Sequence, residues 1–328
     1  MLNNGGFEKR FEEADRVEGA VSGESPEREL PFRLPLFSPG QRRERGRILG
    51  QEHMPDGVAR PGGQLLTRLA DNARVLGDIH RTLVDDITAK QTVPPVGEWL
   101  VDNFYVVEEQ ISLAKRHLPK KYLTGLPALK NPGRAGLPRV YDLAEHSIAF
   151  GDGRVDVEDV KVTVAAYQEC APLKLGELWA IPIMLRLALI ENIRRLAVIA
   201  GADREDRNEA RRWADALIRV ETENPKNLVV TIADMARAET RLSGSFVAEF
   251  KRRIHGRSVG LKLALQWIEQ NLDDLDTSAE QMVHEENHRQ ARMEVSMRNS
   301  INSLRTLNVT DWSGFVETLS LVESALRR

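Results

Sequence analysis

The chain has 328 residues, with 46 basic against 49 acidic side chains and a formal net charge of −3. That balance removes the simplest case for nucleic-acid binding, which needs an excess of Lys and Arg facing phosphates. A single cysteine, Cys170, excludes an internal disulfide framework and fits a reducing compartment. The length suits about two domains, and the hydrophobic content of 41% is enough for a core.

Residues 1–29 mix glycine, serine and charge without a period, and read as a disordered lead-in. They contain no apolar run able to act as the core of a secretory signal. Residues 30–64 alternate Pro and Gly with a basic stretch, QRRERGRIL, and read as a peripheral segment, extended or briefly helical, with that stretch solvated. From Leu65 a helical period sets in, with Leu65, Leu69, Ala73, Leu76, Leu83 and Ile87 on one stripe. A second stripe joins Val96, Leu100, Phe104, Val107, Ile111, Ala114 and Leu118, opened by Pro94–Pro95 and stopped by Pro119. After a Gly/Pro-rich loop, shorter helices are predicted over 139–150 and 156–170.

The central helix, 174–200, is apolar around most of its circumference and is expected to end at Gly201. Its core run, LWAIPIMLRLALI, is interrupted by Pro182 and Arg186 and is shorter than the roughly 20 residues of a membrane span. Further helices are predicted over 203–223, 228–242, 245–255 and 258–272. A long helix over 278–307 is capped by Thr277 with Glu280, and a final one starts at Asp311. Only Leu228–Ile232 has a weak strand pattern. The predicted fold is therefore all-α, a multi-helix bundle or an irregular stack of helical hairpins, divided into helical subdomains at 65–201 and 202–328.

Residues 284–288 read His-Glu-Glu-Asn-His, which satisfies the H-E-x-x-H pattern of zinc hydrolases. His284 and His288, one turn apart, would bind zinc, and Glu285 would activate a metal-bound water. Ala291 and Glu294 break the extended form of the motif, and nothing singles out a third ligand, although Glu317 could be put forward. On the 278–307 helix the apolar seam is Met293, Met297, Ile301 and Leu304, and the two histidines point away from it. With Glu286, Asn287, Arg289 and Gln290 beside them, they read as part of a solvated charged face, so no metal is assigned. Asp274-Leu275-Asp276 reads as a charge cluster before a helix, and Cys170 as a buried structural thiol.

Two segments carry more polar and aromatic residues than packing requires. One supplies Trp99, Asp102, Asn103 and Glu108; the other supplies Tyr167, Glu177, Trp179, Arg186 and Glu191. Charges on a buried helix need partners, and Arg139, Glu108 or Asp102 could provide them. These residues form either a structural polar network or a groove for carbohydrate or a partner, with Trp99 and Trp179 as aromatic platforms.

The stretches EWLVDNFYVVEEQI, GLPRVYDLA, AYQECAPLKLGELWAIPIMLRLALIENIRRLA and SMRNSINSLRTLNVTDWSGFVETLSLVESALR resemble the N-terminal region of cyclic β-1,2-glucan synthases. PFRLPLFSPGQ and LLTRLADNARVL resemble the opening of that region. The resemblance implies a non-catalytic helical region of a large bacterial inner-membrane enzyme that builds glucan from UDP-glucose. It places the transferase domain, with UDP-glucose and any divalent metal, in a separate part of the parent. The region itself would then be cytoplasmic, at the inner face of the membrane, packed on that domain in cis or in trans and in reach of β-1,2-glucan. The alternatives are the zinc hydrolase above and a free-standing helical scaffold that binds glucan or a protein.

Overall fold

Gly46 and Gly50 stand four residues apart, so a helix through them presents both on one face. In the computed structural model they do lie on a helix, α1 (Pro39–Glu52), which opens with a capping box between Ser38 and Gln41. The stretch expected to be solvated is thus helical, and Arg42, Arg45, Gly46, Leu49 and Gly50 are buried. The structure describes residues 31, 37–56, 63–118, 123–238, 240–257, 260–273 and 277–320. The predicted lead-in and the Asp274–Asp276 cluster lie outside these residues.

After α1 come a short strand β1 (Pro55–Asp56) and helices α2 (Gly63–Thr88), α3 (Pro95–Asp102) and α4 (Phe104–His117). Strand β2 (Ala128–Leu129) pairs antiparallel with β1. Then follow α5 (Arg139–Ala149), α6 (Val157–Cys170), α7 (Leu175–Glu223), α8 (Leu228–Arg237), α9 (Gly244–Ile254), α10 (Lys262–Asp273), α11 (Ala279–Val309) and α12 (Trp312–Leu319). The fold is all-α, as the helical periodicity requires. The helices fall into two compact units. Of the described residues, the first holds those up to 84, in 99–197 and in 295–320, and the second holds those in 85–98 and 198–294.

In the first unit α1 lies against α6 with almost no side chain between them. A Cβ on Gly46 would stand 2.5 Å from the Thr163 carbonyl oxygen, and one on Gly50 would stand 2.7 Å from that of Tyr167. Arg42 pairs with Asp159 at 3.3 Å. Residues 42, 46 and 50 therefore face 159, 163 and 167 in turn, and the two helices run parallel. Arg42 buries its stem against α6 and directs its head to acceptors, Nε donating to the Phe37 carbonyl at 3.1 Å.

The last part of α11 belongs to this unit, and small residues fix it there. Gly153, at φ +81°, leaves the turn between α5 and α6 flush against α11, where a Cβ would meet Ser300 Oγ at 2.4 Å. Ser303 Oγ donates to the Gly153 carbonyl at 2.9 Å and accepts from the Val155 N–H at 2.8 Å. Met297, Ile301 and Leu304 supply the buried seam.

Several boundaries differ from the sequence reading. Gly201 does not stop the central helix, because it keeps right-handed geometry and α7 continues to Glu223. Asn103, at φ −119°, divides the second predicted helix into α3 and α4. Leu228–Ile232 is helical. The N-terminus of α11 is capped by Ser278, whose Oγ accepts from the Gln281 N–H at 3.2 Å, rather than by Thr277. Cys170 is exposed at the end of α6, not buried.

The α1–α6 contact makes a sign-specific prediction. Gly46→Ala and Gly50→Ala each force a methyl onto a backbone carbonyl and should destabilise by about 1–3 kcal/mol. Gly77→Ala, mid-helix in α2 with nothing within 4 Å of its Cβ position, should stabilise by about 0.4–1 kcal/mol. Urea denaturation of the three variants tests both signs. Equal effects would mean that the close approach does not matter.

Candidate functional site

The end of α1 delivers His53 into the interior of the first unit. Its Nδ1 lies 2.9 Å from Tyr167 Oη on α6, and its Nε2 lies 2.9 Å from Asp142 Oδ2 on α5. His146 Nδ1 stands 3.4 Å from the same Asp142 oxygen, and Arg134 Nε stands 3.1 Å from Oδ1. Burial alone would raise the Asp142 pKa, but His146, His53 and Arg134 outweigh it and hold the carboxyl well below its usual range. Neighbouring Glu145 pairs with Arg134, yet burial dominates there and raises its pKa.

Tyr167 links this group to a second ion pair. Arg139 Nε and Nη2 each donate at 2.7 Å to Glu177, one to each carboxylate oxygen, and Nη2 also donates to the Pro172 carbonyl at 2.8 Å. Glu177 Oε2 accepts from the Lys174 N–H at 2.9 Å, which ties it to the start of α7. The Arg139 guanidinium lies 5.9 Å from the Tyr167 ring centroid. Burial pushes the Tyr167 hydroxyl up to about 12, with Arg139 opposing. Its side chain is 0% exposed. The Tyr–His–Asp chain has the connectivity of a proton relay, but all three of its members are buried.

Glu191 forms another buried centre. Asn72 Nδ2 donates to it at 2.7 Å, Arg194 Nη2 at 2.8 Å and Arg195 Nε at 3.1 Å, with Arg68 at 3.7 Å. Burial would raise its pKa, but Arg195, Arg194 and Arg68 outweigh that and bring it down to about 2. Arg186 is held differently, by neutral groups. Its Nε donates to Gln110 Oε1 at 2.6 Å and its Nη2 to Asn308 Oδ1 at 3.1 Å. Burial lowers its pKa.

The residues singled out from sequence are thus separated. Arg139, Tyr167 and Glu177 come together, whereas Glu191 and Arg186 each head a cluster of their own. Arg139 is the expected partner of Glu177, but Asp102 and Glu108 are exposed and pair with neither Arg186 nor Glu191. Asn103 bonds back to the Trp99 carbonyl at 2.9 Å and accepts from Arg305 at 2.6 Å. Trp99 is partly buried, and Trp179 is 46% exposed. Sequence reasoning did not find His53, Asp142, Asn72 or Gln110, since none of them interrupts a recognisable pattern.

In the second unit His284 and His288 are exposed, with their Nε2 atoms 3.0 Å apart. Glu285 accepts from Gln281 at 3.0 Å. Among the described residues no group of three or more His, Cys, Asp or Glu side chains could hold a metal ion. The surrounding face is not uniformly solvated as expected. Glu286 and Gln290 are buried, and Glu286 accepts from Ser245 at 2.7 Å and from Arg289 at 2.8 Å. Arg289 also reaches Asp203 at 2.7 Å.

No family model matches the chain. A curated protein, the cyclic β-(1,2)-glucan synthase NdvB of Rhizobium meliloti (strain 1021), is 33% identical over 261 residues, 79% of this chain. The chain resembles one region of that synthase. The match spans only 9% of the synthase's length, so it describes a region and not the whole enzyme. No described helix is long and apolar enough to cross a membrane.

Two predictions follow from the buried charges. Arg139→Met strands the Glu177 carboxylate and should cost about 3–5 kcal/mol, with much of this recovered in Arg139→Met/Glu177→Leu; a double-mutant denaturation cycle checks it. Because the Glu191 pKa falls from 4.5 to about 2 on folding, its stabilisation is complete above the unfolded value and disappears as pH falls towards 2. Stability measured from neutral pH downward should drop less steeply in Glu191→Gln than in the parent.

Proposed function

We propose that this chain is a non-catalytic helical region of a cyclic β-1,2-glucan synthase system, packed on a UDP-glucose-dependent transferase domain in cis or in trans. The observation that carries the reading is the similarity to NdvB, which covers 79% of this chain but 9% of the relative. The site chemistry supports it. The most relay-like arrangement, Tyr167–His53–Asp142, is buried and internally paired. UDP-glucose and any divalent metal then belong to the transferase domain. Work at the cytoplasmic face of the bacterial inner membrane follows from that partnership.

A second reading, glucan binding by the helical region, draws support from Trp179, an indole 46% exposed near the start of α7, where a sugar ring could stack. The zinc-hydrolase reading has only two exposed histidines in its favour.

Purified chain incubated with UDP-glucose should transfer no glucose to glucan. In a pull-down it should retain the transferase domain of a cyclic β-1,2-glucan synthase from the same source. Transfer by the chain alone would overturn the non-catalytic reading, and failure to retain the domain would overturn the packing.

A further inference from the structure

The second unit contains an open cavity of about 840 Å³, within the range of small-molecule sites. One wall is the face of α7 that carries Glu205, Asn208, Glu209 and Arg212, and the rim holds Lys90 and Thr92. Part of the lining is fixed. Arg211 donates to Glu249 at 2.8 Å, to Asn208 Oδ1 at 3.2 Å and to the Thr92 carbonyl at 3.1 Å. Arg253 clasps Asp215 with contacts of 2.6, 2.7 and 3.1 Å. The side chains of Lys90, Glu209 and Arg212 have no ion pair or hydrogen bond among the described residues. The cavity therefore combines a rigid frame with unengaged donors and acceptors.

Lys90 is also in an unusual conformation. The Lys90 N–H bonds to the Ile87 carbonyl at 3.0 Å and the Gln91 N–H to that of Asp86 at 2.9 Å, which is the Schellman closure of α2. The left-handed residue of that motif is usually glycine, because a Cβ is strained there. Here it is lysine, at φ +56°. Glycine would be less strained at this position, so Lys90→Gly removes the side chain without cost to the turn.

We propose that this cavity binds a neutral, polyhydroxylated ligand, an oligosaccharide, through Lys90, Arg212 and Glu209 with the fixed Arg211 and Arg253 as its frame. The charged lining rejects an apolar ligand, whose entry would desolvate ions without replacing their partners. Unengaged cations and anions both face the space, so no net charge selects a phosphate or a dicarboxylate. Sugar hydroxyls donate and accept at once, which suits ammonium, guanidinium, carboxylate, hydroxyl and amide groups around one volume. The choice of β-1,2-linked glucose as the sugar rests on the function proposed above.

The test is a calorimetric titration of the full chain with β-1,2-linked glucose oligosaccharides, with inorganic phosphate as a second probe. Saturable sugar binding is expected, with no competition from phosphate. Lys90→Gly and Arg212→Ala should each weaken it by about fivefold or more, the loss of a hydrogen bond. Lys90→Gly should melt at or above the parent temperature, so weaker binding cannot be ascribed to unfolding. Absence of saturable binding, or affinity unchanged in both variants, overturns the site. Competition by phosphate overturns the ligand class. Retention of the transferase domain is measured separately, so the cavity can fail while the packing stands.

Discussion

The first unit depends on how closely α1 can approach α6. Gly46 and Gly50 let the α1 backbone come within contact of the Thr163 and Tyr167 carbonyls, and that approach determines where His53, at the end of α1, can reach. A helix held one methyl further out would withdraw the imidazole from both Tyr167 and Asp142. The buried aspartate would then lose one of the three cationic or donor groups that keep it charged. Two glycines without side chains thus govern the electrostatics of a site several ångströms away.

Around that seam the unit buries an unusual amount of charge, and in nearly every case the charge is paired in a shape that leaves little freedom. Arg139 meets Glu177 with two parallel bonds, and Glu191 gathers three arginines and an amide. Such centres need not add net stability, because desolvation consumes much of the attraction. A helix that slipped by one turn would leave a bare charge in the core. Arg186 is the exception, held by Gln110 and Asn308.

The helices with an apolar stripe were legible from sequence, since Leu65–Ile87 and Met293–Leu304 repeat at the helical period over several turns. α1 was not, because its buried face is arginine and glycine apart from Leu49, and a single leucine sets no period. Gly201 shows the opposite failure. A glycine stops a helix chiefly by turning left-handed, and this one does not. The pairing of Arg139 with Glu177 could be anticipated from the rule that buried charges need partners. The identities of His53 and Asn72 could not, because a residue that answers a distant charge carries no local signal. Glu286 and Gln290 were misjudged for the same reason: their polarity suggested solvent, and Ser245, Asp203 and Arg289 supply an interior instead.

The parallel register of α1 and α6 has a consequence for the order of assembly. The bonds that join α1 and His53 to their neighbours span 79 to 122 residues of sequence, whereas the turn between α5 and α6 closes locally. Loop closure over such a distance costs little more free energy than over half of it, since the penalty grows only logarithmically. It is nonetheless slow, because non-local contacts form only after the chain between them has condensed. The docking of α1 is therefore the part of this unit's assembly that asks most of the chain in conformational search.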